Sequence, residues 1–178
     1  AMSLFFQKNP FMLYSGQEFG EKGMDKEGFS GRDGRTTIFD YWSPSTLTHA
    51  YQDSADGTLT PEQKYLAATY RQLLRLANEE KALREGDTFD LMYVNPGSEN
   101  FDPRTNFAFL RKKDDEVMLI VLNFAQEARQ LQVCIPGHAF DFFQIAEEEV
   151  LVTELFSGGK KKVELKKDGV FPISMDAN

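Results

Sequence analysis

Six carboxylates crowd one glycine-punctuated stretch of the chain: Glu18, Glu21, Asp25, Glu27, Asp33 and Asp40. Two carboxyl groups held close together can divide the work of nucleophile and proton donor when their surroundings push their pKa values apart. Glu18 stands out among the six. It follows Gln17 in "PFMLYSGQEFGEKG", where an apolar run breaks into a polar turn carrying Gly16, Gly20 and Gly23. Spacing alone permits a carboxylate pair, but a loop does not by itself hold two such groups to the sub-ångström tolerance that catalysis asks. A second reading makes Glu18 a buried carboxylate bonded to loop amides, with Gly16 and Gly20 freeing the donors.

Two further clusters follow in the same loop. Arg32, Asp33 and Arg35 in "GRDGR" either hold a ligand's hydroxyls by charge-assisted hydrogen bonds or knot into a local ion pair that orders the loop. Phe39, Tyr41 and Trp42 in "TTIFDYW" either stack on the apolar faces of pyranose rings, as a carbohydrate-binding module would use them, or fill a core. Metal chemistry finds little footing. His49 and His138 lack a paired His or Cys pattern, Cys134 is alone, and "DSADG" (53–57) lacks the spacing and terminal Glu of a calcium loop. No metal and no cofactor is expected. Cys134, set in "LQVCIP", reads as a buried, inert thiol.

The elements that must position these groups change character along the chain. Apolar on successive residues and bounded by Pro10 and Gly16, "FMLY" (11–14) reads as a strand covered on both faces. Residues 15–60 are loop-like, with a short helix opening in "SPSTLTHAY" behind Ser43 as N-cap and Pro44. Residues 61–85 read as one long helix. Thr60 and Gln63 make a capping box, Leu66, Tyr70, Leu73 and Ala77 one buried stripe, and Gly86 a left-handed stop. Beyond Gly86 the period shortens to strands: "FDLMYV", "NFAFLRK", "VMLIVLNF", "RQLQVCI", "AFDFFQI", "VLVTELF", "KVELK" and "VFPISM". "VMLIVLNF", apolar on both faces, is expected at the centre of a sheet. The lysines of "SGGKKKVELKKDG" read as guards against edge-to-edge strand pairing.

Composition narrows the partners. The 178 residues carry a formal net charge of −8, which disfavours nucleic acid. No apolar run is long enough for a transmembrane helix, so no membrane partner is expected, and any secretion signal would lie upstream.

Taken in order, these pieces resemble the α-amylase family, glycoside hydrolase family 13. "NPFMLYSGQEFGE" is similar to the family's eighth barrel strand and the Gly-Gln-Glu turn leaving it, with Lys8-Asn9-Pro10 in place of the usual G-x-P. "ALREGD" is similar to the close of the last barrel helix, "NFAFLRKKDDEVMLIVLNFA" to strands of domain C, and "MDKEGFSGRDGRTTIFDYW" to the loop after strand eight in bacterial enzymes. The resemblance implies a mainly β chain. Residues 1–86 would be the terminal β/α unit of a (β/α)8 TIM barrel, and 87–178 an antiparallel Greek-key β-sandwich. It also implies an α-glucan or malto-oligosaccharide partner, met through the parent enzyme. Gln17 and Glu18 would wall the sugar pocket, and Arg32, Asp33, Tyr41 and Trp42 would add remote contacts. The family's catalytic Asp, Glu and Asp would all precede residue 1, so an accessory, non-catalytic role is expected. An orphaned barrel strand and helix 61–85 would favour a homo-oligomer.

Overall fold

The computed structural model describes residues 1–21, 45–52 and 59–176. Arg32, Asp33, Arg35, Phe39, Tyr41 and Trp42 lie outside the described residues, as do Ser43, Pro44 and the 53–57 loop. The chain forms two compact units, Pro10–Arg75 and a second comprising Ala1–Asn9 with Leu76–Asn178. Helix and strand contents are about equal, every sheet is antiparallel, and no closed barrel forms among the described residues.

In the Pro10–Arg75 unit, "FMLY" is not a strand. Residues 10–14 are irregular and Met12 is 82% exposed. Four apolar residues form a strand only where a neighbour accepts their backbone groups, and no such neighbour occurs among the described residues. A short 3-10 turn, Gln17–Phe19, follows, then α2 (Ser45–Gln52) and α3 (Pro61–Glu79). The capping box is present: Gln63 N donates to Thr60 Oγ1 at 3.2 Å and Thr60 N to Gln63 Oε1 at 2.9 Å. The stripe Leu66, Tyr70, Leu73 and Ala77 is half-buried, and Leu76 is the residue of α3 that buries fully.

The expected helix 61–85 is two helices. Glu80 is extended (φ −77°, ψ 119°), and α4 (Lys81–Glu85) starts afresh beyond it. The cause is distant in sequence. Glu116 accepts the amides of Lys81 (3.2 Å) and Ala82 (2.9 Å), supplying α4 with an N-terminal carboxylate cap. Gly86 is likewise not a left-handed stop, since its φ is −69° and its ψ 160°. Its missing side chain matters sterically: a Cβ there would sit 2.3 Å from the Ala82 carbonyl oxygen and 2.7 Å from that of Lys112. Gly86→Ala is expected to cost ~2 kcal/mol through overpacking against backbone that cannot step aside, measured as a shift of the urea midpoint.

The larger unit holds the sheets. In the first, β1 (Asp87–Asp90), β2 (Asn106–Lys113) and β3 (Glu116–Asn123) lie in that order, with Phe89 opposite Leu110 and Phe109 opposite Ile120. In the second, β4 (Arg129–Ile135) pairs β7 (Gly169–Met175), with Val133 opposite Phe171. Strands β5 (Glu149–Thr153) and β6 (Lys160–Glu164) form a separate hairpin. "AFDFFQI" is helical rather than extended. Helix α5 (Gly137–Phe143) starts behind Pro136, closes on left-handed Gln144 (φ 53°), and buries Ala139, Phe140 and Phe143 on one face. That is helical spacing, which a run of aromatics disguises as strand.

One core joins these pieces: Phe89, Ala108 and Leu110 from the first sheet, Leu131, Val133 and Phe171 from the second, and Phe140 from α5. The first sheet's opposite face is covered by the N-terminal segment, where Phe6 packs edge-on against Phe107 and Phe109 at 5.5 and 5.2 Å. Strand β3 is therefore apolar on both faces because both faces of its sheet are covered, yet it lies at the edge and β2 is central. Two asparagines tie the sheets together. Asn123 Nδ2 donates to the carbonyls of Glu127 and Asp176, both at 2.9 Å, while its Oδ1 accepts from Asn106 Nδ2 at 3.1 Å. Asn95, fully buried, joins β4 at Cys134.

Candidate functional site

The Gln17-Glu18 pair sits on a turn that two left-handed glycines bracket, Gly16 (φ 84°) and Gly20 (φ 67°). A side chain at Gly16 would be strained by that φ and would meet Glu21 Cβ at 2.8 Å. The turn closes on itself. Gln17 N donates to Tyr14 O, and the Gly16 carbonyl accepts from both Phe19 N and Glu21 N, all at 3.0 Å. The intervening backbone is thereby held in one tight loop, with Gln17 exposed and Glu18 and Phe19 half-buried.

Each of the three polar side chains has a distinct task. Gln17 is exposed and donates from Nε2 to the Tyr70 hydroxyl of α3 at 2.9 Å. Glu21 accepts the Leu47 amide on Oε2 at 2.8 Å, so it caps the first turn of α2 and satisfies one of that helix's open donors. Glu18 is half-buried. Its Oε2 is enclosed and accepts no hydrogen bond among the described residues. The amide-bonded carboxylate anticipated from Gly16 and Gly20 is not what forms at that oxygen, because the Gly20 amide is turned onto the Gln17 carbonyl at 3.2 Å. An enclosed carboxylate oxygen without a donor is a polar atom whose desolvation nothing among the described residues offsets.

Of the sequence-predicted site residues, the structure brings Gln17 and Glu18 onto one turn. Reading the sequence missed two participants. Tyr70 reads in the sequence as one member of a buried stripe, though Tyr carries a hydroxyl that seeks a partner. Glu21 reads in the sequence as one of six clustered carboxylates, and its capping role depends on Leu47 of α2, 26 residues downstream.

A concavity of about 270 Å³ lies in the larger unit between Glu147, Glu148, Glu149, Glu164, Leu165 and Lys166. Glu149 pairs with Lys162 at 2.6 Å and Glu164 with Lys166 at 2.8 Å, so its charge is already partly matched. Among the described residues, no group of three His, Cys, Asp or Glu side chains is placed to hold a metal ion, and no helix is long and apolar enough to cross a membrane. Cys134 is half-buried, and burial, followed by nearby Asp168, raises its thiol pKa and suppresses the reactive thiolate. No protein-family model matches the chain, and no curated protein matches its sequence.

Proposed function

We propose that this chain is the C-terminal part of an α-amylase-like glycoside hydrolase acting on α-glucans, and that it serves as scaffold and accessory surface without turnover of its own. In this reading residues 1–86 belong to the end of a barrel. Residues 87–178 are domain C, with the β1–β3 and β4–β7 sheets as layers of a Greek-key sandwich. The shared core between those sheets and the "VLNF" asparagine that ties them support the assignment. The motif order "GQEFGE", "ALREG", "VLNF" supports the family.

The observation that carries the accessory role is the division of labour between Glu18 and Glu21. A retaining glycosidase needs two carboxyl groups about 5 Å apart, one nucleophile and one acid. Among the described residues, one of the two carboxylates on the turn is committed to capping a helix, which leaves Glu18 as the acceptor we assign to a sugar hydroxyl.

The test is direct. Folded protein is expected to release no reducing sugar from starch above buffer, and Glu18→Gln is expected to change nothing in that assay. Titration with malto-oligosaccharides separates the remaining roles. Binding that weakens in Glu18→Gln but survives Trp42→Ala places the contact at the turn, whereas loss in Tyr41→Ala or Trp42→Ala makes the chain a binding module built on loop aromatics. Hydrolysis abolished by Glu18→Gln would overturn the accessory reading.

A further inference from the structure

We propose that the outer edge of β3 is a self-association surface, through which two copies of the chain pair antiparallel and join their three-stranded sheets into one continuous sheet. The proposal stands apart from the α-glucan reading. On one side β3 pairs β2 along all eight of its residues; on the other, no strand pairs with it among the described residues. A row of backbone donors and acceptors at a sheet edge templates another strand unless something deters it.

The other strands of the larger unit carry deterrents, and β3 does not. Strand β1 has Asp87 and Asp90 at its two ends. The β5–β6 hairpin carries Glu149 and the lysines 160–162, and β7 contains Pro172, which has no amide to offer. Strand β4 is met by the Asn95 side chain. In β3 the run from Val117 to Leu122 has no charge at all, and Val117 is 39% exposed. Its one charged residue, Glu116, lies at the first position and is engaged with the amides that open α4.

Charge placement selects the occupant. Two-fold antiparallel pairing is self-complementary, each residue meeting its counterpart twice. It sends the two Glu116 carboxylates to opposite ends of the ladder, roughly 24 Å apart at ~3.4 Å per residue. Parallel pairing would set them side by side. For a chain of net charge −8, an uncharged strand is where two copies approach without opposing carboxylates.

Sedimentation equilibrium of the whole chain from micromolar to near-millimolar concentration, with hydrogen exchange at both limits, tests this. The expected result is a monomer–dimer equilibrium in which amides within 117–122 exchange more slowly at high concentration. Val117→Lys, a change at an exposed position, is expected to weaken dimerisation about tenfold or more. A strict monomer across the range would overturn the proposal. So would a dimer whose 117–122 exchange is independent of concentration, a measurement that decides the matter on the unsubstituted chain even if Val117→Lys fails to fold.

Discussion

Arg111→Met is expected to lower stability by ~4 kcal/mol, the largest loss of any single substitution considered for this chain. The side chain of Arg111 is fully buried in β2, and its guanidinium makes no ion pair among the described residues. Its guanidinium donates instead to three backbone carbonyls: Phe5 at 2.8 Å, Leu83 at 2.9 Å and Gly86 at 2.8 Å. Phe5 closes α1 (Met2–Phe5), while Leu83 and Gly86 stand in the last turn and at the end of α4. Helix C-termini leave carbonyls without donors and carry partial negative charge, so a single planar cation satisfies two helix ends at once. Burial pulls the guanidinium's pKa below its ordinary value, with Asp87 acting in the opposite direction.

The sign of the effect follows from what cannot be removed. Replacing both members of a buried ion pair with apolar groups is often neutral or stabilising. Here the partners are main-chain carbonyls that stay in place, each costing ~1–3 kcal/mol once unpaired. Deleting a buried cation whose Nε has no acceptor returns part of that loss, which leaves the net near 4. For a chain of this length the melting temperature should fall by roughly 10 °C. Arg111→Lys separates charge from geometry. An ammonium keeps the charge but cannot span carbonyls from two segments, so nearly the same loss is expected. Urea midpoints within error of the unsubstituted protein for both variants would show that the three contacts contribute nothing net.

What could be read from the sequence divides along the reach of the interactions. "RQLQVCI" is legible residue for residue, because Leu131, Val133 and Ile135 alternate with Gln130 and Gln132 and the strand buries one face. The Thr60-Gln63 capping box is legible because both partners lie within one turn. The break at Glu80 is not, since no Gly or Pro marks it and its cause is a carboxylate 35 and 34 residues away at the amides it caps. "FMLY" failed for the complementary reason: a strand is a relation to a neighbour, and a short apolar run does not say whether the neighbour exists. In β3, apolarity on both faces reports covering above and below but nothing about lateral position, and the strand lies at the edge. At the candidate site, the glycines around Gln17 and Glu18 announced a tight turn. The engagement of Glu21 and Tyr70 required knowing where α2 and α3 come to rest.

Asn95 shows the same dependence on distant partners, and its replacement is the second large expected effect. It is fully buried, and its side-chain amide behaves as an additional peptide group on β4: Cys134 N donates to Oδ1 at 2.8 Å, and Nδ2 donates to the carbonyls of Cys134 at 3.1 Å and Leu91 at 2.9 Å. Asn95→Ala removes these three bonds and the one that Oδ1 accepts from Ser98 Oγ at 3.3 Å, strands the β4 groups and opens a cavity, so a loss of ~3 kcal/mol is expected. Asn95→Asp keeps the shape and is more informative. A carboxylate can still accept from Cys134 N, but it has no proton for the two carbonyls and would face them with like charge in a dry setting. Its folded-state pKa should therefore rise above the unfolded value of about 3.9. The native state then binds more protons than the unfolded one, and stability falls as pH climbs past that point. Urea titrations of Asn95→Asp should show a modest deficit at acidic pH, where the carboxylic acid can donate, and a much larger one at neutrality. A deficit relative to the unsubstituted chain that stays constant between those conditions would mean that Cys134 and Leu91 do not depend on the Asn95 amide for their hydrogen bonds.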